Sequence, residues 1–519
     1  RMRDVRPAVR AASGVGAAIV LAGLASIALR QDSSWDLMNY HYYNAWAFVH
    51  GRHGIDFAPA QLQSFYSPFL DLPFYAMVAA DLPPRLIAFL LAIPTGIAWY
   101  CFARIAMALF EPLPASVRRP AVLGALALGI TAPMAVSLIG TTMNDWYVAA
   151  FVMVGLWLVV RVPAPTPRAL AAAGVLVGLG AGLKLTGSLY GVGLVAAVLL
   201  AGAVPWRQRL RHAALTGACV AAGFILAAGP WMALMWLRYG NPLFPYYNDV
   251  FQSPWADPVP FTATRFGPQS LPEWLAFPFM LLIKLEGYVS EPEFRDARPA
   301  LLYVLALVAL VWRRPTAVPA DARWRFLAVF FVASLMAWAV MYRIFRYLVP
   351  LELLAGAFTA HLVVRLVPSR RAALALAGAF ALVVLTSKYP TWWRQKFEDH
   401  FLTVSLPPVA SDAMVLLVAP EPMSYVLPAF PPDARFAGLV SNFNDPARHN
   451  LLQASIAAAI RDHRGALYAL ALPPGKGVGD DALAAMGLAR VECEEVRTNL
   501  RASPLELCRL ARAAPAPAR

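Results

Sequence analysis

Apolar residues in this chain arrive in long uninterrupted blocks, not in the two-residue alternation of a half-buried strand. Residues 11–29 carry no charge and as a helix would reach about 28 Å, close to one hydrocarbon core. Similar blocks cover 86–109, 121–139, 146–160, 169–183, 187–203, 213–236, 299–312, 326–342, 348–366 and 372–387. The pattern predicts about eleven transmembrane helices. No small-residue cleavage site precedes Trp35, so the first block is expected to stay as a span and not to be removed as a leader.

The connections sort by charge. Arg118 and Arg119, Arg161 and Arg168, Arg207, Arg209 and Arg211, Arg313, Arg314, Arg323 and Arg325, and Arg365, Arg370 and Arg371 all fall on the side of the N-terminal Arg1, Arg3, Arg6 and Arg10. Because short cytoplasmic loops collect Lys and Arg, that side is expected to face the cytoplasm. The opposite side receives 30–85, 237–298 and everything beyond 388. An odd number of spans places the C-terminal tail outside as well. In the tail the apolar runs shorten to strand length at 413–419 and 465–472, with a helical stretch at 449–463 between them. A short helix near 480–488 and strand-like runs at 490–498 and 505–511 follow. The expected organisation is a membrane module over 1–387 and a small α/β domain over 388–519.

Composition agrees with this pattern. Of 519 residues, 59% are hydrophobic and 14% charged, against about 25% charged in soluble proteins, which excludes an ordinary soluble enzyme. The net charge of +14 is accounted for by cytoplasmic loops, and no nucleic-acid motif accompanies it. Heavy use of Ala and Arg points to a GC-rich bacterium, hence to its inner membrane. Cys493 and Cys508 lie in the last two strand-like runs, on the oxidising side, where a disulfide persists. Cys101 and Cys219 lie within apolar blocks and read as small core residues.

The densest polar cluster directly follows the first block, in Asp32-Ser33-Ser34-Trp35-Asp36 and Asn39-Tyr40-His41-Tyr42-Tyr43-Asn44. A carboxylate beside a tryptophan at a membrane surface is partly desolvated, which suits general-base work on a hydroxyl; Asp36 is the candidate. The same aspartates suit helix capping. His41 sits five residues on, about 140° around an α-helix from Asp36. Gln61, Gln63, Ser64, Tyr66, Ser67 and Asp71 lie further along among prolines and aromatics, a mixture that fits the hydroxyls and CH faces of a sugar. Asn144 and Asp145 stand at the outer end of a span, where they suit either an acceptor or a cap. Tyr246 and Tyr247 stand in a proline-rich external loop, with Lys284, Glu286 and Tyr288 later in the same segment. Lys184 is an isolated cation in an apolar region, fitted to a lipid-linked phosphate or to snorkelling. Arg343 and Arg346, three apart, share a face if their segment is helical, and paired guanidiniums bind a phosphate.

One early span, an acidic external loop with "SSWDLMNYHYYNAW", a helical bundle and an external C-terminal domain together resemble the GT-C superfamily of membrane glycosyltransferases. That superfamily includes protein O-mannosyltransferases, aminoarabinose transferases of lipid A, and mycobacterial mannosyl- and arabinosyltransferases. The resemblance implies a GT-C-like bundle and transfer of a sugar from a polyprenyl-phosphate donor to a lipid, glycan or protein acceptor at the periplasmic face. It puts the base on Asp36, although Asp-Leu stands here where members often show Asp-Glu, which leaves Asp32 open as the alternative. Asn39, His41, Tyr42, Gln63, Asn144, Asp145, Tyr246 and Tyr247 become substrate-binding candidates, and Lys184, Arg343 and Arg346 donor-phosphate candidates. No metal-ligand triad is evident, no nucleotide loop is present, and no cofactor is expected. Two other readings fit a polytopic chain: a flippase of lipid-linked saccharide, which favours internal repeats, and a non-catalytic assembly protein, which tolerates Asp36→Asn.

Overall fold

A computed structural model describes residues 2–261, 266–283, 287–312, 321–473 and 479–512. Lys284, Glu286, Arg313 and Arg314 lie outside the described residues. The chain divides into two compact units. Unit 1 is formed by residues 1–29, 89–229 and 262–392, and unit 2 by residues 30–88, 230–261 and 393–519.

Among the described residues six helices are long and apolar enough to cross a membrane: Ala11–Ala28, Pro84–Phe110, Trp206–Tyr239, Ala322–Met341, Phe345–Leu366 and Ser369–Thr386. Four shorter apolar helices accompany them, Asp145–Val160, Pro167–Leu183, Leu185–Ala201 and Arg298–Val311. All eleven apolar blocks fall on helices, with one shortened. The block at 121–139 is a helix over Ala115–Ile130 followed by the short helix Pro133–Ser137. Pro133 cannot donate into the preceding turn and drives Ala132 into an extended conformation, which ends the first helix.

In unit 1 the helix Val349–Leu366 packs along Ala115–Ile130, and Ser188–Ala201 along Ala322–Met341. Small residues set these approaches, as expected where helices pack without a solvent-driven hydrophobic force. A Cβ on Gly356 would collide with the backbone of Gly129 and Ala125. Substituting Gly178 would likewise push into the Val220 carbonyl.

Unit 2 contains a six-stranded mixed sheet. Its strands are β1 Val404–Ser405, β2 Met414–Leu417, β3 Arg435–Gly438, β4 Leu467–Ala471, β5 Leu488–Thr498 and β6 Leu505–Arg512, in the order β1-β5-β6-β4-β2-β3. β2 pairs in parallel with β3 and β4, and all four of its residues are buried. The helix Leu451–Asp462 carries the chain from β3 to β4. β1 and β3 escape detection in the sequence because two- and four-residue strands give no measurable periodicity. The segment after the first span joins this sheet: Phe57 bridges Ala437, its N–H donating to Phe436 O at 2.9 Å and its carbonyl accepting from Gly438 at 2.8 Å. β5 and β6 pair antiparallel with Cys493 opposite Cys508, and a disulfide joins the two.

Candidate functional site

The sequence candidates separate into two clusters, one in each unit. In unit 2 the chain enters a helix at Trp35, and Leu37–His41 form a π turn before an α-helix over Tyr42–Val49. A π turn closes one residue later than an α turn. It therefore swings His41 round towards the side of Asp36, reducing the angle an α-helix imposes.

The two aspartates of the motif have different surroundings. Asp32 is buried, accepts from the Ser34 amide at 2.9 Å, and its charge acts on the Arg394 guanidinium. It is an Asx turn that launches the helix. Asp36 is 9% exposed and receives the Tyr40 hydroxyl at 3.4 Å, a long contact that leaves its carboxylate oxygens weakly engaged by Tyr40.

Amides hold this helix in place. Asn39 Nδ2 donates to Ala60 O at 3.2 Å and to Gln63 Oε1 at 3.1 Å, while its Oδ1 accepts from Gln61 Nε2 at 3.3 Å. Gln61 and Gln63 belong to the 3₁₀ turn Gln61–Phe65, so the helix and this turn are sewn together by neutral dipoles. Asn44 adds a bond to Gln63 O at 2.8 Å, and the Ser424 hydroxyl donates to Asn39 O. His41 Nδ1 meets Asp71 Oδ1 at 2.8 Å with both side chains buried. Tyr66 and Tyr246 share a hydroxyl contact and stack at 6.1 Å. Tyr42 packs on Phe74 and Tyr75, and burial pushes its phenol up to about 12. Tyr247 adopts a left-handed φ of 55° and remains 41% exposed.

A charged clasp beside this helix was not singled out in the sequence. Arg52 grips Asp56 through two bonds of 2.9 and 2.7 Å and donates to Pro432 O at 3.0 Å. Asp56 also accepts from Tyr43 at 2.7 Å and from the Phe436 amide at 3.0 Å.

In unit 1 the polar centre consists of full charges. Lys184 Nζ binds Asp145 Oδ1 at 2.6 Å and lies 5.4 Å from the Tyr347 ring centroid. Arg346 lies 5.4 Å from the same ring, contacts Met143 Sδ at 3.3 Å and approaches Glu291 Oε1 at 3.9 Å. Lys184 also donates to Met143 O. Lys184, which holds Asp145, and Arg346 thus converge on the Tyr347 ring and on Met143. Asn144 precedes this centre with a left-handed φ of 65° at the N-cap of Asp145–Val160. Arg343 does not extend a helical face with Arg346. The helix Ala322–Met341 has ended, Arg343 takes φ 60°, and its Nε donates to Ala339 O at 2.9 Å.

A second buried network in unit 1 also went unflagged. Arg298 binds Asp296 Oδ1 at 2.9 Å and reaches Leu128 O and Thr131 O, each at 2.8 Å. Glu352 is 6% exposed within an apolar helix, and a lone carboxylate in a span was the missed signal.

No family model matches the chain, and no curated protein matches it in sequence. Its structure is similar to that of ArnT from Cupriavidus metallidurans, crystallised bound to undecaprenyl phosphate. The TM-score is 0.51 at 13% identity, over 97% of this chain and 98% of that one. A likeness at so low an identity is one of fold alone, and the chain shares the fold of that protein.

Proposed function

We propose that this protein is a multi-pass inner-membrane glycosyltransferase that takes a sugar from a polyprenyl-phosphate donor and passes it to an acceptor hydroxyl at the periplasmic face. The observation that carries the reading is the full-length likeness to ArnT, whose crystal structure holds undecaprenyl phosphate. In this reading the four shorter apolar helices and Ala115–Ile130 complete eleven spans, with the N-terminus in the cytoplasm. The membrane module runs to about 387, and the α/β tail is periplasmic.

Chemistry follows from the donor. The phosphate is already a leaving group, so the protein has to orient the acceptor, accept its proton and stabilise the departing charge. Asp36 accepts the hydroxyl proton as the acceptor oxygen attacks the anomeric carbon. The bond from that carbon to the phosphate oxygen breaks, and polyprenyl phosphate departs. One displacement inverts the anomeric configuration. Lys184 and Arg346 are assigned to the phosphate; Arg343 is the weaker candidate because its guanidinium is turned to a backbone carbonyl. Tyr247 is assigned to substrate on its exposure. His41, Tyr42, Tyr246, Asn144 and Asp145 support the substrate region, and Asn39 and Gln63 hold the Asp36 helix.

The test is incubation of the purified protein with radiolabelled polyprenyl-phosphate sugars and a membrane extract. Wild type is expected to transfer label and folded Asp36→Asn to transfer none. Absence of transfer by folded wild type from every donor overturns the reading.

A further inference from the structure

The helix Leu271–Met280 of unit 1 enters none of the assignments above. Its sequence, LPEWLAFPFM, carries a single charge. A helix apolar on every side belongs in a protein core or in lipid, and at about 15 Å this one is too short to cross a bilayer. Protein covers only one of its sides. Trp274 and Phe277 meet the Trp338 ring at 6.2 and 5.7 Å, and Phe277 is buried, as is Leu281 just past the helix end. The other side is open. Leu271, Leu275 and Phe279 follow one another at intervals of four and so form a stripe; Leu271 is 71% and Leu275 60% exposed, and Phe279 is exposed with them.

The neighbours of the stripe identify its partner. Phe279 meets Tyr303 of the apolar helix Arg298–Val311 at 5.8 Å. Leu307 and Leu310, four and seven residues beyond Tyr303, continue that face and are exposed. The stripe therefore extends the surface that a membrane helix turns outward. Tyr303 stands in the second turn of Arg298–Val311 and Trp338 in the last turn of Ala322–Met341, the two ends that the positive-inside reading assigns to the periplasmic face. Polarity gathers at the start of the short helix, where Glu273 accepts from the Gln269 amide at 2.9 Å and the Ser270 hydroxyl at 3.0 Å. Backbone bonds tie the flanking chain down: Gly267 N–H donates to Tyr288 O at 2.6 Å, and Phe345 N–H, next to Arg346, to Val289 O at 2.7 Å. We infer that Leu271–Met280 is an interfacial helix whose Leu271–Leu275–Phe279 stripe is embedded among the lipid acyl chains of the periplasmic leaflet. This depends on the chain being a membrane protein and is independent of the transfer reading.

Spin labelling of the full-length protein in phospholipid nanodiscs tests this. With Cys101→Ala and Cys219→Ala in place and the Cys493–Cys508 disulfide kept, a nitroxide is attached singly at Leu271→Cys, Leu275→Cys or Phe279→Cys. Its collisions with oxygen, which concentrates among acyl chains, and with the water-soluble chelate NiEDDA are then measured. Val332→Cys, exposed at the middle of the span Ala322–Met341, is the lipid reference, and Val491→Cys, exposed on β5, the water reference. The oxygen-to-NiEDDA ratio along the stripe is expected to be about fivefold or more above that at Val491, as for an apolar face some 5–10 Å into the leaflet. The three positions are read separately, so one misfolded variant leaves two. A stripe ratio equal to that at Val491 places the helix in water and overturns the inference. Few collisions with either reagent mean cover by protein, its own or a second copy's, and overturn it too. Equal ratios at Val332 and Val491 remove the membrane reading itself and the inference with it.

Discussion

Around Lys184 in unit 1, polarity is supplied by whole charges: an ammonium on a carboxylate at 2.6 Å, with a guanidinium against the same tyrosine ring. Around Asp36 in unit 2 the helix is held by neutral amides, with Asn39, Gln61, Gln63 and Asn44 bonded to one another and to carbonyls, while the Arg52–Asp56 pair sits beside it. The contrast suits two tasks. Two cations set against one ring fit an anion, whereas a scaffold of dipoles fixes the helix that carries a carboxylate. If the comparison is right, the two regions break differently when single groups are removed.

The largest effect is expected at Asp36. Asp36→Asn keeps shape and should lower transfer by about 10²–10⁴-fold, the usual contribution of a general base, with the unfolding temperature near that of wild type. Asp32→Asn, which alters a turn acceptor, should leave transfer within about tenfold. The reverse ranking in the label-transfer assay assigns the base to Asp32.

Next comes the clasp beside the Asp36 helix. Arg52→Met strips Asp56 of both its guanidinium bonds and leaves the carbonyl of Pro432 without its donor. Burial already pushes the Asp56 carboxyl upward, with Arg52 opposing that rise. Breaking a buried pair from one side costs about 3–5 kcal/mol, visible as a lowered unfolding midpoint. A midpoint unchanged from wild type rules out a structural role for the clasp.

Lys184 separates folding from binding. Lys184→Met leaves Asp145 buried beside an apolar chain and should cost about 3 kcal/mol of stability. Adding Asp145→Asn should recover much of that loss, while undecaprenyl phosphate still binds at least tenfold more weakly than to wild type. Recovery of binding together with stability removes Lys184 from the phosphate assignment.

The two regions also differed in how readable they were. Lys184 and Asp145 stand out because a charge beside an apolar block is conspicuous in one dimension, and the helices at whose ends they sit were legible from block length alone. Their grouping with Arg346 came only through the resemblance, and the separation of Arg343 from Arg346 was not legible, since it depends on the helix Ala322–Met341 stopping and Arg343 turning left-handed. In unit 2 the strands β2 and β4 left short apolar runs in the sequence, and β5 and β6 left strand-like ones. Asn39, Gln61 and Gln63 are ordinary loop residues by composition, and only the fold shows them bonded together. The π turn at Leu37–His41 is equally silent, because backbone winding leaves no compositional trace.

The smallest expected effect concerns pH. Burial, aided by the Arg238 cation, holds the His53 imidazole down at about 4, against an ordinary 6.5. The unfolded chain then takes up a proton before the folded one as pH falls. Stability from this residue is full above pH 6.5, declines between 6.5 and 4, and levels off below. By pH 4.5 the loss amounts to about 2–3 kcal/mol, from about 1.4 kcal/mol per pKa unit. His53 lies edge-on to Trp231 at 5.2 Å, so tryptophan fluorescence can follow unfolding near it. His53→Phe should flatten the decline between pH 6.5 and 4. His400, exposed and raised by its bond to Asp81, acts with the opposite sign, and both proteins retain it. The difference between their pH profiles therefore isolates His53, and identical profiles mean that this imidazole is protonated as readily in the folded protein as in the unfolded chain.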